Sequence, residues 1–80
     1  MNPKVVTVDP LPGYFLKLRF ESGEVKLFDV KPYLDKGVFQ ELRDIEYFNQ
    51  VRVSFGSVEW PREQDLSRDT LYLLGRLEPV

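Results

Sequence analysis

The sequence predicts an α+β fold: a small, mostly antiparallel five-stranded sheet packed by short helices, in the order βββ-αα-ββ-α. Three observations carry this. Apolar and polar residues alternate from Tyr14 to Phe20, the two-residue period of a half-buried strand. Glycines at 23 and 56 sit between such alternating runs, where tight reversals need a positive φ. Short apolar-periodic fragments after residue 30 begin at Asp or Ser, which accept the free N–H groups of a helix start. Residues 1–80 are expected to form one domain, the size of chain that closes a single core.

The elements follow in order. Lys4 to Asp9 is β-branched and ends at Pro10, with Pro12-Gly13 as a turn. Tyr14 to Phe20 and Glu24 to Val30 form a hairpin around a two-residue Ser22-Gly23 loop. That loop pairs Phe20 with Val25, Leu18 with Leu27 and Leu16 with Asp29 on the concealed side. It sets Phe15 against Val30, Lys17 against Phe28 and Arg19 against Lys26 on the other. Lys31 to Asp35 reads as one helical turn with Pro32 inside it, Asp29 as its cap and Gly37 as its end. Val38 to Leu42 is a second helical piece, and Asp44 caps Ile45 to Gln50. Phe39, Leu42, Ile45 and Phe48 step by three and should pack on the sheet. Val51, Val53 and Phe55 then alternate inward, Gly56-Ser57 reverses the chain, and Trp60 returns opposite Val53. Pro61 ends that strand, Arg62-Glu63-Gln64 is a polar turn, and Ser67 to Leu74 is a helix ended by Gly75.

Composition closes many chemistries. There is no His and no Cys, so Ser-His-Asp and Cys-His triads, zinc fingers, iron–sulfur clusters and disulfides are excluded. Eleven Lys+Arg against thirteen Asp+Glu give a net charge of −2, which disfavours a duplex-coating basic protein. Six Phe, four Tyr and Trp60 supply the buried area that a small domain without disulfides or metal must find. No apolar run approaches a membrane span and no leader is visible, so the expected location is cytoplasmic. No cofactor or metal is expected: the carboxylates sit at turns, caps and solvent faces, and no EF-hand spacing or Gly-rich phosphate loop occurs. Asp29 is the exception, pointed inward by its register.

Two surfaces remain as candidate sites. Phe15, Phe28 and Val30 make an apolar end to the outer sheet face, which the helices are expected to cover; left uncovered, it is a candidate protein-binding patch with Arg62 as a further anchor. Lys17, Arg19 and Lys26, interleaved with the same aromatics, are the alternative nucleic-acid-binding patch. The stretch Trp60-Pro61-x-x-x-Asp65-Leu66-Ser67 reads as structural, with Trp60 in the core and Asp65 or Ser67 capping the last helix.

Several of these residues also carry a resemblance. Leu16-x-Leu18-x-Phe20-x-x-Gly23-Glu24, Phe39-x-x-Leu42, Phe48, Val51, Val53 and above all Trp60-Pro61-x-x-x-Asp65-Leu66-Ser67 with Leu71-Tyr72 are similar to the bacterial domain-of-unknown-function family 2442. The resemblance covers about Val5 to Tyr72. It implies a small α+β domain, no established catalytic residues, and a non-enzymatic role as the partner of a small protein encoded beside it, with antitoxin-like action. Some longer relatives append a helix-turn-helix domain; this chain is expected to carry none. Arg62-Glu63 stands where relatives usually have Asn and Gly. The expected function is therefore a protein-binding module, its partner a neighbouring small protein or a second copy, with nucleic-acid binding or transcription regulation as the alternative and no membrane contact.

Overall fold

The computed structural model describes residues 2–77. Among the described residues seven strands form two antiparallel sheets. β1 (Val5–Leu11), β2 (Phe15–Phe20), β3 (Val25–Asp29) and β7 (Arg76–Leu77) lie in the order β1-β2-β3-β7. β4 (Arg52–Ser54), β5 (Ser57–Glu59) and β6 (Asp65–Leu66) form the second sheet in sequence order. The class is the expected α+β, but two sheets replace one of five strands. β6 and β7 are only two residues long, too short to show any period in sequence. The Val5 N–H donates to the Gly56 carbonyl at 2.9 Å, tying the second hairpin to the start of β1. Both sheets feed one core, in which Leu16, Leu18, Phe20, Phe28, Leu42, Phe48, Val58, Trp60 and Leu71 are fully buried.

The first reversal differs by one residue from the sequence reading. Phe20 N–H donates to the Glu24 carbonyl and Gly23 N–H to the Phe20 carbonyl, so the loop is Glu21-Ser22-Gly23, with Gly23 at φ +91°. This is a three-residue hairpin with the glycine in the left-handed seat. Leu18 therefore faces Lys26, Leu16 faces Phe28, and Phe15 faces Asp29. Because side chains alternate, a one-residue slip turns β3 over. Lys26, Phe28 and Val30 go inward beside Leu16, Leu18 and Phe20. Val25, Leu27 and Asp29 join Phe15, Lys17 and Arg19 on the outer side.

The second reversal is also one position early, at Phe55-Gly56, with φ +49° and +79°. Val53 now pairs with Val58 instead of Trp60. Here the register moves by two, so the faces survive and both Val58 and Trp60 are buried as expected. Phe55 is the loser: expected to point inward, it occupies the hairpin tip and is 99% exposed.

Between the hairpins the chain runs through 3₁₀ turns at Lys31–Tyr33 and Gly37–Arg43, then α1 (Ile45–Phe48). Gly37 opens the second turn rather than closing the first. Asp44 caps α1 as expected, accepting from Glu46 N–H at 3.0 Å. In the predicted stripe Leu42 and Phe48 are buried, whereas Ile45 is exposed and Tyr47 takes the inward place. The change from 3₁₀ to α pitch at Asp44 breaks the step of three. α2 (Arg68–Leu74) starts at Ser67, whose Oγ accepts from Thr70 N–H at 3.2 Å. A Cβ on Gly75 would lie 2.5 Å from the Leu71 carbonyl oxygen, so only glycine ends this helix so tightly.

Candidate functional site

The slip in β3 dismantles both patches read from the sequence. Phe28 and Val30 are core residues, so no Phe15–Phe28–Val30 surface exists. Lys26 leaves the basic cluster altogether. Its Nζ donates to the Tyr72 carbonyl near the end of α2 and sits 3.6 Å from the Tyr72 ring centroid. A cation at a helix C-terminus is where the macrodipole favours one. Lys17 and Arg19 remain on the outer face, where Lys17 is flanked by Asp9 and Leu27, and Arg19 by Thr7 and Val25. Two bases separated from the third by the sheet are a poor track for a phosphate backbone. Arg62 is also engaged internally: its guanidinium pairs with Glu41 at 2.9 Å and lies 5.7 Å from the Tyr47 ring.

In the Trp-Pro stretch Trp60 lies in the core, as expected. The Trp60 indole N–H donates to the Phe48 carbonyl at 2.9 Å, Leu66 is buried, and Ser67 caps α2. Asp65 is no cap; it pairs with Glu59 across β5 and β6 and is exposed. The sequence reading missed Gln64, which is only 1% exposed. Its amide accepts from the Tyr47 hydroxyl at 2.6 Å and donates to the Val38 carbonyl at 2.8 Å. The Tyr47 hydroxyl in turn accepts from Arg62 N–H at 2.7 Å. A polar run of three residues gives no hint of which one turns inward.

What the fold assembles instead is a groove at the open edge of the first sheet. β7 pairs only with Lys26 and Leu27, so among the described residues no strand covers β3 at Phe28 and Asp29. Beside that edge Phe15, Leu27, Pro32, Tyr33, Leu74 and Leu77 wall a mostly apolar groove of about 690 Å³, with Phe28, Asp29 and Arg76 also lining it. Leu74 and Leu77 are well exposed for leucines, at 63% each. Phe28 and Tyr33 stack at 5.8 Å, and the Lys31 ammonium lies 4.0 Å from the Phe15 ring centroid. Phe15 thus lines this groove, whereas Val30 does not.

Asp29 faces outward, because of the slip; Val30, not Asp29, is the N-cap of the Lys31–Tyr33 turn, and Asp29 bonds the first residue of that turn instead. Its Oδ1 accepts from Lys31 N–H at 2.9 Å and meets the Lys31 ammonium at 3.1 Å. The displaced titrations lie elsewhere. Hydrogen bonds from Ser22 and then Tyr72 hold the Glu24 carboxyl below its ordinary value, and the same Glu24 bond pushes the Tyr72 hydroxyl up. A hydrogen bond from Ser54, then Arg52, lowers Glu59. Among the described residues no three acids cluster to hold a metal ion, and no helix is long and apolar enough to cross a membrane.

The fold defines a small α+β domain of two antiparallel sheets, and its sequence places it among known relatives. Residues 5–76 match the family described as "Protein of unknown function (DUF2442)", to which this chain belongs. No curated protein matches it. A crystal structure described as a "Putative DNA Binding Protein" from Nitrosomonas europaea ATCC 19718 is similar, with 33% identity and a TM-score of 0.79. The match covers 90% of this chain and 48% of that one, so this chain spans about half of that protein's length.

Proposed function

We propose that this chain is a protein-binding module that holds an apolar segment of another protein in the groove beside β3. One observation carries the reading: exposed Leu74 and Leu77, with Leu27, Phe15 and Tyr33, line a mostly apolar groove next to an uncovered strand edge. Apolar side chains pay no structural return there, and an uncovered edge offers backbone groups to an extended segment. The family resemblance supplies the partner class, a small protein encoded next to this one, with an antitoxin-like role.

Purified chain mixed with the neighbouring gene's product should co-elute in size-exclusion chromatography. A Leu74→Gln/Leu77→Gln variant, folded by circular dichroism, should lose the complex, while Lys17→Glu/Arg19→Glu keeps it. Retention by the leucine variant refutes the groove. The alternative draws on the description of the Nitrosomonas europaea protein. Under it, oligonucleotide mobility shifts at low salt and the Lys17→Glu/Arg19→Glu variant abolishes the shift.

A further inference from the structure

Phe55 combines a left-handed backbone with a large apolar side chain left in solvent. It fills the first central position of a two-residue hairpin turn at φ +49°, a seat that favours Asn, Asp or Gly. A left-handed conformation costs a bulky L-residue about 1–2 kcal/mol. The ring, 99% exposed, recovers none of that by burial. Strain without internal compensation points to a use outside the chain.

The turn is also held still. Val5 N–H grips the Gly56 carbonyl at 2.9 Å, and a Cβ on Gly56 would lie 2.7 Å from Lys4 Cγ. The ring is therefore presented from a fixed backbone, and little order remains to be bought on binding. Its flanks are polar: Ser54, Ser57 and the Arg52–Glu59 ion pair at 2.7 Å. A lone ring among polar groups suits insertion into a concave site better than a flat apolar contact or a bilayer.

This chain carries such a concavity, but out of its own reach. The tip adjoins Val5, which pairs with Phe20, whereas the groove adjoins Phe15 at the other end of β2. Five steps along the strand separate those ends by about 17 Å, and β1 lies two strand spacings, about 10 Å, from β3. Charged groups border both features, Lys4 and the Arg52–Glu59 pair near the tip, Arg76 and the Asp29–Lys31 pair at the groove.

We propose that Phe55 of one copy inserts into the Leu27–Tyr33–Leu74–Leu77 groove of a second copy. The inference rests on the reading of the groove as a protein-docking site and adds a second occupant, which would compete there with the neighbouring gene's product. Tip and groove are different surfaces, so the contact is heterologous and leaves a free tip and a free groove on every pair. A single inserted ring buries less than the roughly 1,200 Å² of stable interfaces, so association is weak and grows with concentration.

Sedimentation velocity tests it with the intact chain. From about 20 μM to about 1 mM, a range suited to weak contacts, the weight-average mass should rise without levelling at a dimer. Phe55→Gly, which relieves strain and so keeps the fold, should stay monomeric, as should Leu74→Gln/Leu77→Gln. An equimolar mixture of the two variants should give a capped one-to-one pair and nothing larger, because only one tip and one groove remain competent. Wild-type chain that stays monomeric at about 1 mM overturns the proposal, as does either variant that still assembles or a mixture that stays monomeric. If wild type is monomeric while the leucine variant loses the neighbouring gene's product, the self-contact fails and the groove reading stands. If that variant keeps the product, the groove reading itself fails.

Discussion

Replacing Gln64 by Met tests whether the buried amide holds the Trp-Pro loop to the helical layer. Met is unbranched and of similar length, so the change removes two hydrogen bonds with little loss of packing. The Tyr47 hydroxyl loses its acceptor at 2.6 Å and the Val38 carbonyl its donor at 2.8 Å. A buried polar group left without a partner costs about 1–3 kcal/mol. Val38 lies in an exposed turn where water can replace part of the loss, so the sum is about 2–4 kcal/mol. An eighty-residue domain has only about 4–12 kcal/mol in all, and the melting temperature should fall by about 10–25 °C. Urea titration followed by Trp60 fluorescence should show a lower midpoint with an unchanged slope. Tyr47→Phe alone strands the Gln64 carbonyl and Arg62 N–H. The double variant should then be less destabilised than the sum of the two by about 1–2 kcal/mol. A loss below about 0.5 kcal/mol for Gln64→Met, or simple additivity of the pair, would refute the latch.

Glu63 sits at φ +79°, a left-handed seat that favours glycine. Relief of about 1–2 kcal/mol of left-handed strain, against about 0.5–1 kcal/mol of added freedom in the unfolded chain, makes Glu63→Gly stabilising by about 0.5–1 kcal/mol. An unmoved or lower urea midpoint would show that the turn carries no such strain. Stability should also depend on pH at both extremes. Glu24 and Glu59 bind protons less readily folded than unfolded, so their contribution is complete above the ordinary glutamate range and fades as pH falls through their lowered folded values. Tyr72 holds its proton more tightly when folded, so its contribution persists below the ordinary tyrosine value and is lost as pH rises through the higher folded one. Glu24→Gln should flatten urea midpoints on both sides, and unchanged acid and alkaline slopes would contradict the Glu24–Tyr72 bond.

The strand content and most of the core were legible in the sequence, because Leu16, Leu18 and Phe20 follow a strict period of two and Ser67 and Asp44 are good caps. The face of β3 was not. Val25 and Leu27 make one apolar row, Phe28 and Val30 another, and Gly23 fits a two-residue or a three-residue loop equally well. The two-residue loop put Lys26 on the outside, yet its methylene stem packs inward while its ammonium reaches the Tyr72 carbonyl and ring. In the second hairpin the ambiguity of Gly56 cost two residues of register, which spared the faces but misplaced Phe55. The groove was invisible because it depends on β7 meeting β3 across most of the chain. Leu74 and Leu77 read alone look like an ordinary helix end.

That meeting also bears on how the protein is made. Lys26 and Leu27 pair with Leu77 and Arg76, about fifty positions further along, so the fourth strand can join only after residue 77 has been made and has emerged from the ribosome. The β1–β3 meander can form much earlier, while the ribosome is still adding the second half, with one whole flank of β3 unguarded. A nascent chain in that state is a template for strand addition by its siblings on the same message, and the final two-residue clasp retires part of that hazard.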